Sequence, residues 1–160
     1  MVEADEFDRS FLQLYPNWAL ISSMDADHLD IYGTAAHLEQ SFQLFADKVK
    51  GGSLIAKEGL NVNATYSYAL NSNKADFSAL NIRVENGAYH FDLKHPKGVC
   101  ENVVTGLPGI HNVENAVAAF SMAYFQELST EGIVASIASF SGVKRRFEIH
   151  VKNKKHIYID

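Results

Sequence analysis

The stretch at residues 109–119 reads Gly109-Ile110-His111-Asn112-Val113-Glu114-Asn115-Ala116-Val117-Ala118-Ala119, a glycine turn followed by small and apolar residues at helical spacing. This periodicity predicts a helix from about residue 112 to about residue 128. Asn112 and Asn115 are three residues apart, so a helix places their amides on one face, with His111 beside them at its start. We therefore interpret this helix start as ligand-facing; the alternative is an Asn N-cap on a packed alanine helix.

Strand and helix patterns precede this stretch. The elements predicted before residue 64 are a strand at 18–21, a helix that starts at Thr34 and is ended by Gly51-Gly52, and a strand at 53–56. Residues 64–104 then alternate largely between polar and apolar side chains, and Asn86-Gly87 between two such runs predicts a type I′ turn. Residues 64–104 are therefore predicted to form an antiparallel hairpin subregion.

Further elements are predicted after residue 119. Ser129-Thr130 can cap a second helix that reaches Phe140, and strand-like runs at 147–151 and 156–159 lie on either side of Asn153. Helices that alternate with short strands, interrupted by an antiparallel region, predict a mixed α/β layer fold. With 160 residues, 47% of them hydrophobic, the chain is long enough for one domain with its own core.

Charge and composition exclude several classes of function. The net charge of −5 argues against a general nucleic-acid surface, because phosphate binding needs a basic face. The dense basic stretches are 144–146 and 152–155, and a solvated hairpin with one phosphate-facing arginine is the preferred interpretation of them. Cys100 is the only cysteine, so no internal disulfide can form. No apolar run approaches the ~20 residues that span a bilayer, so no membrane segment is expected.

Two acidic segments indicate a possible cation site. Residues 2–8 carry four carboxylates, and Met24-Asp25-Ala26-Asp27-His28-Leu29-Asp30 follows the strand-like run at 18–21. Carboxylate oxygens with one imidazole suit a hard divalent cation such as Mg²⁺ or Mn²⁺, whereas zinc sites usually offer several His or Cys. A solvated acidic turn is the alternative for either segment taken alone.

Together with Gly142-Val143-Lys144-Arg145-Arg146-Phe147-Glu148, these segments resemble the central ATP-binding domain of the Mur ligases, cytoplasmic enzymes that build the peptide of bacterial peptidoglycan. Four motifs match in order: E-A-D-E-x-D, D-H-x-D-x-Y, G-x-H-N-x-x-N and G-x-x-R-R-F-E. The resemblance implies a mainly parallel sheet flanked by helices, with a small antiparallel sheet. It also implies an enzyme that uses ATP and Mg²⁺ to form an amide through an acyl phosphate. The residues within these motifs are most similar to those of the member whose substrates are UDP-N-acetylmuramate and L-alanine.

The resemblance also implies roles for single residues. Glu3 and His28 match the positions that hold the metal, Glu3 through its carboxylate and His28 through an imidazole nitrogen. The implied nucleotide-binding residues are His111, Asn112 and Asn115 toward adenine, and Arg146 toward the ribose and phosphates. Glu3, His28 and Arg146 form the implied catalytic set. From the residues alone, His28 could instead satisfy the acidic loop, and Arg146 could pair with Glu148 on a strand surface.

The sequence contains no G-x-x-G-K-[ST] run, whose backbone and lysine hold ATP phosphates. We therefore expect residues 1–160 to be a truncated central domain, with 147–160 leading toward a C-terminal domain that is missing along with the P-loop and N-terminal domain. By itself this piece is expected to be inactive. The alternatives within the family are the ligase that recycles an intact tripeptide and a folylpolyglutamate synthetase relative. A non-catalytic nucleotide-binding or interaction module is the alternative from another class.

Overall fold

The computed structural model describes residues 1–25, 29–51, 53–143, 149–152 and 157–159, with Leu29 and the last two ranges as backbone only. The strands are β1 (Ala19–Ile21), β2 (Leu54–Lys57), β3 (Tyr66–Leu70), β4 (Phe77–Glu85), β5 (Ala88–His95), β6 (Gly98–Thr105), β7 (Ile149–Lys152) and β8 (Ile157–Ile159). The helices are α1 (Leu29–Tyr32), α2 (Ala35–Ala46), α3 (Ile110–Tyr124) and α4 (Thr130–Ser139), and a 3-10 turn covers Ser10–Gln13. The chain divides into two compact units, Met1–Ser78 and Ala79–Asp160.

The first six strands form one sheet in chain order, from β1 to β6. In the first unit, β2 pairs in parallel with β1 and also with β3, where Ile55 lies opposite Tyr66. β3 lies within the hairpin subregion predicted at residues 64–104, and its pairing with β2 is parallel. Alternating side chains show that a strand is half-buried, but this period is the same in parallel and antiparallel pairs, so it does not give strand direction.

The antiparallel part of the sheet lies farther along the chain. Asn86 and Gly87 join β4 to β5 with positive φ angles of 52° and 79°, which confirms the predicted type I′ turn. The next pair, β5 and β6, is antiparallel, with Tyr89 opposite Thr105 and His95 opposite Gly98. The sheet is therefore mixed, and the predicted α/β class is confirmed.

Helix α2 covers the sheet of the first unit. The helix was predicted to start at Thr34, and Thr34 is its N-cap: the Thr34 hydroxyl accepts a hydrogen bond from the His37 backbone N–H at 3.3 Å. The helix ends at Ala46, earlier than the predicted Gly51-Gly52 stop, so Val49 packs against the core from the following turn. One cluster of the core of this unit comprises Phe11, Ala19, Ile21, Tyr32, Leu38, Phe42, Phe45 and Leu54.

In the second unit α3 packs against β5 and β6, and α4 packs against β6. Ser129 caps α4 as predicted, since its hydroxyl accepts from the Gly132 N–H at 3.1 Å. Helix α3 begins at Ile110 and ends at Tyr124, four residues before the predicted end. The largest fully buried side chains in the described part of this unit are Phe91, Leu93, Val103, Val113, Val117 and Phe120.

Asp92 ties together two irregular positions in the antiparallel part. Asn81 and Asn102 both adopt a left-handed φ of 52° within strands. One Asp92 oxygen accepts from the Asn102 backbone N–H at 2.9 Å, and the other accepts from the Asn81 side-chain amide at 2.8 Å. These bonds lower the pKa of Asp92, that from the Asn102 N–H most. The ionised carboxylate therefore stabilises both irregular positions.

The last two strands, β7 and β8, pair antiparallel, with Ile149 opposite Ile159. This confirms the two strand-like runs predicted near the end of the chain, while the residues that connect them lie outside the described part. Within the described residues, no helix is both long and apolar enough to cross a membrane.

Candidate functional site

The start of α3 is a glycine turn with a histidine folded over it. Gly109 occupies the N-cap position with φ 92° and ψ 137°, and its carbonyl accepts from the Asn112 backbone N–H at 3.1 Å. A Cβ atom added at Gly109 would lie 2.4 Å from Cε1 and 2.7 Å from Nδ1 of His111. The positive φ favours glycine here, and the absence of a Cβ leaves room for the exposed His111 ring against the Gly109 Cα.

Asn112 is held in place by the loop that precedes the helix. Its Nδ2 donates to the Pro108 carbonyl oxygen at 2.6 Å. Because a carbonyl oxygen only accepts hydrogen bonds, this contact fixes which end of the amide faces Pro108 and turns Oδ1 away from it. Since α3 begins at Ile110, Asn112 lies inside the helix, and the alternative in which it is the N-cap is wrong.

Asn115 lies one turn farther along α3 and is exposed, whereas Asn112 is half-buried. The same helix buries Val113 and Val117 completely, which fixes how α3 is rotated against the sheet. The helix therefore presents two amides and the His111 imidazole at one end, as the spacing predicts. This end offers hydrogen-bond donors and acceptors.

The first acidic segment, residues 3–8, is folded on itself by two of its carboxylates. Asp5 accepts from the Phe7 N–H at 2.8 Å, and Asp8 accepts from the Ser10 N–H at 2.9 Å. Hydrogen bonds from Ser10 lower the pKa of Asp8. Glu3 is exposed and forms no hydrogen bond or ion pair with other described residues. Glu3 therefore remains open to an external cation.

Tyr32 connects the two acidic motifs, a contact that the sequence analysis missed. Its side chain is only 4% exposed, and its hydroxyl donates to the Glu6 backbone carbonyl at 2.5 Å. Burial raises the pKa of Tyr32, so the phenol stays protonated and remains a donor near neutral pH. The sequence offered one clue, since Tyr32 ends the D-H-x-D-x-Y motif. The structure thus brings the end of the second motif against the first.

Arg9 is the second residue that sequence reasoning missed. It has a left-handed φ of 61°, and its guanidinium lies 5.5 Å from the centre of the Tyr32 ring. Its Nη2 donates to the hydroxyl of the fully buried Ser41 at 2.9 Å, and that hydroxyl in turn donates to the His37 carbonyl. The sequence offered one clue, since Arg9 is a basic residue directly after the acidic residues 3–8. Arg9 thereby ties the first acidic segment to α2.

Three predictions fall at or near the gaps in the described residues. His28 and Arg146 lie outside the described residues, so their predicted roles stay predictions. Three residues before His28 in the sequence, Asp25 accepts from the Ser23 hydroxyl at 2.6 Å, in agreement with a loop-shaping role for Asp25. Among the described residues no group of three or more His, Cys, Asp or Glu side chains is placed to hold a metal. Glu3 suits Mg²⁺ as a hard oxygen donor, but it supplies only one ligand of a coordination shell.

Comparison with known proteins assigns the chain to a family. Residues 2–123 match the model of the Mur ligase middle domain. The chain is 52% identical, over its full length, to a UDP-N-acetylmuramate–L-alanine ligase from Christiangramia forsetii, covering 35% of that protein. It is 49% identical to a ligase of the same name from Flavobacterium psychrophilum, covering 36% of it. The chain thus spans about a third of the length of these curated relatives.

A solved structure shows the same fold. The UDP-N-acetylmuramate–alanine ligase from Thermotoga maritima superposes with a TM-score of 0.82 at 18% sequence identity. The superposition covers 98% of this chain and 37% of that protein. The mixed sheet with its flanking helices is therefore the fold of the corresponding part of that ligase.

Proposed function

The chain belongs to the Mur ligase family, and we propose that the protein is an ATP-dependent ligase that joins L-alanine to UDP-N-acetylmuramate. The observation that carries this proposal is the 52% identity, along the whole chain, to a ligase of that name. Members of the family are ATP-dependent ligases that form amide bonds. The described residues contribute one end of a nucleotide site and one carboxylate of a cation site.

The proposed reaction has two steps. An oxygen of the UDP-N-acetylmuramate carboxylate attacks the γ-phosphorus of ATP, and ADP leaves, which gives an acyl phosphate. The L-alanine amine then attacks the acyl carbon, phosphate leaves, and the nitrogen loses a proton to give the amide. Negative charge gathers around the transferred phosphoryl group, so cationic groups and precise positioning account for most of the rate enhancement.

The start of α3 is the proposed adenine site. An asparagine amide can donate to and accept from one base edge at once, which suits adenine. In Asn112 the bond to Pro108 leaves Oδ1 directed away from the loop, and the exposed Asn115 amide lies three residues on. His111 lies at the same end, with its ring against Gly109. The fixed orientation of Asn112 supports a preformed acceptor for the base.

Glu3 and His28 are the proposed metal ligands. Mg²⁺, when bound, would neutralise phosphate charge and orient the γ-phosphoryl group. The open carboxylate of Glu3, next to a segment whose Asp5 and Asp8 are engaged within their own loop, supports its assignment as the ligand of that segment. The role of His28 rests on its motif position alone.

Arg146 is proposed to contact the ribose and phosphates, since a planar guanidinium pairs with phosphate oxygens through two hydrogen bonds. The remaining proposals follow from the family and composition. We expect a cytoplasmic protein, as for other enzymes that use these soluble substrates, and with a net charge of −5 we expect no nucleic-acid partner.

Phosphate release by the full-length protein tests the proposal. With ATP, Mg²⁺ and UDP-N-acetylmuramate present, release should depend on L-alanine and should not be supported by an intact tripeptide in its place. Support by the tripeptide alone would assign the protein to the recycling branch of the family. Release that depends on neither amine would contradict an amide-forming ligase.

The Arg146→Ala variant tests the site. A lost hydrogen bond to a charged group corresponds to ~1.5–3 kcal/mol. The KM for ATP should therefore rise, or the rate of acyl-phosphate formation should fall, by roughly ten- to a hundred-fold. Arg145→Ala is the matched control, and both variants should melt near the wild-type temperature. Equal mild effects of the two substitutions, or a large loss of Tm for Arg146→Ala, would assign Arg146 a structural role.

A further inference from the structure

We propose that Arg9 and Tyr32 are positioning residues, which hold the first acidic segment (residues 3–8) in a fixed conformation before cation and nucleotide bind. The proposal rests on the proposed function in one respect, the role of Glu3 as a metal ligand. Neither Arg9 nor Tyr32 is proposed to touch substrate, nucleotide or metal.

The Glu6 carbonyl is the point at which the segment is held. It accepts two hydrogen bonds, one from the Tyr32 hydroxyl at 2.5 Å and one from the Arg9 backbone N–H at 3.0 Å. The Tyr32 ring belongs to the core of the first unit, so its hydroxyl is a rigid donor. A carbonyl that accepts from a core side chain and from its own loop cannot rotate without breaking both bonds.

Arg9 secures the other side of the loop. Its left-handed backbone closes the turn, and its guanidinium reaches Ser41 on α2 while lying over the Tyr32 ring. Ser41 is fully buried, and because its own proton is donated to the His37 carbonyl, its oxygen is fixed as an acceptor for Arg9. A cation in this place also offsets the negative charge of the neighbouring carboxylates.

Glu3 is only three residues from the fixed carbonyl of Glu6. The part of the chain that a cation must still order on binding Glu3 is therefore short, and each further residue that must be ordered adds a cost in conformational entropy. Preorganisation of this kind improves binding by lowering the entropy cost and adds no contact to the ligand. Loss of the contacts made by Arg9 and Tyr32 should thus raise the Mg²⁺ concentration that activity requires and leave the binding of L-alanine unchanged.

Hydrogen exchange in the metal-free protein tests, independently of catalysis, whether Arg9 and Tyr32 hold the first acidic segment in place. Peptides that cover residues 3–12 should exchange about tenfold faster in Arg9→Ala and in Tyr32→Phe than in the wild type. Tyr15→Phe is the matched tyrosine control, because Tyr15 is exposed and lies in the same unit. Arg83→Ala is the arginine control, since Arg83 lies in the other unit and contacts Glu85 and Asn102.

A Mg²⁺ titration of L-alanine-dependent phosphate release measures the consequence. The concentration for half-maximal activity should rise about tenfold in Arg9→Ala and Tyr32→Phe, with KM for L-alanine unchanged. Arg9→Lys keeps the charge but not the planar group, so it should recover part of the loss. A merely structural role would lower the amount of folded protein and would not shift the Mg²⁺ midpoint.

The two measurements separate the two proposals. Unchanged exchange over residues 3–12 in both variants, or Mg²⁺ midpoints no different from those of Tyr15→Phe and Arg83→Ala, would overturn the positioning role. Wild-type protein with no L-alanine-dependent release would overturn the proposed function alone, and the exchange result would still decide whether Arg9 and Tyr32 anchor the segment.

Discussion

Gly109→Ala is expected to reduce both stability and nucleotide binding, for two separable reasons. The first is the backbone: Gly109 has φ 92° and ψ 137°, a region that L-residues with a Cβ rarely adopt, at a cost of about 1–3 kcal/mol. For a chain of this size each kcal/mol lowers Tm by about 2–4 °C. A thermal melt of the variant should therefore show a fall of several degrees.

The second reason is the His111 ring. The new Cβ would lie 2.4 Å from Cε1 of His111, so the ring must swing away. Because His111 is exposed, it can rotate without disturbing the core, and this movement should add little to the stability loss. It removes the ring from the proposed adenine site. Affinity for a non-hydrolysable ATP analogue, measured by calorimetry on the full-length protein, should fall by about as much in Gly109→Ala as in His111→Ala.

A double-mutant cycle separates the two effects. In a His111→Ala background, Gly109→Ala should still lower Tm by the same amount but should cause no further loss of affinity. Gly106→Ala is the matched control, because Gly106 lies in the same loop without a positive φ and a Cβ there meets nothing within 4 Å. A melt for Gly109→Ala as mild as that for Gly106→Ala, or affinity losses that add in the double mutant, would refute the reasoning.

Two further predictions concern stability at single polar side chains. The pKa of Asp92 is lowered mainly by the Asn102 backbone N–H, so its contribution to stability is present above the unfolded pKa of ~3.9 and is lost as pH falls through the folded value. Urea unfolding should therefore show Asp92→Asn less stable than wild type at pH 7 and the difference shrinking toward pH 2; a constant difference would contradict this. Asn112→Asp places a carboxylate against the Pro108 carbonyl and should destabilise the fold by about 1–3 kcal/mol. Asn115 is exposed, so Asn115→Asp should leave the thermal melt unchanged. Equal melts for the two variants would show that the hydrogen bond from Asn112 to Pro108 does not stabilise the fold.

The elements that could be predicted are those encoded by neighbours in sequence. Thr34 and Ser129 cap their helices through N–H groups three residues ahead, and Asn86-Gly87 forms its turn through two positive φ angles. Helix ends were predicted less well, because α2 and α3 both stop before the apolar pattern does. The end of a helix depends on the packing of the last turn, and a residue such as Val49 can pack equally well from outside the helix.

In the candidate site too, the features set by neighbours in sequence could be predicted and those set by the path of the chain could not. Helical spacing was sufficient to put Asn112 and Asn115 at one end of α3, since residues three apart share a face in any helix. It could not reveal that Asn112 is locked by Pro108, because that bond depends on the path of the preceding loop. The roles of His28 and Arg146 remain predictions from their motifs.

By itself the sequence determined the α/β class, the family, the caps, the turn and the pairing of amides on α3, because each depends on residue type and on spacing over a few positions. Tertiary structure alone decided that β3 runs parallel to β2, and that the first acidic segment is anchored. Tyr32 reaches Glu6 across 26 positions, and Arg9 reaches Ser41 across 32. Such contacts form only once α2 has packed and the core has closed, and no local periodicity encodes which distant side chains then meet.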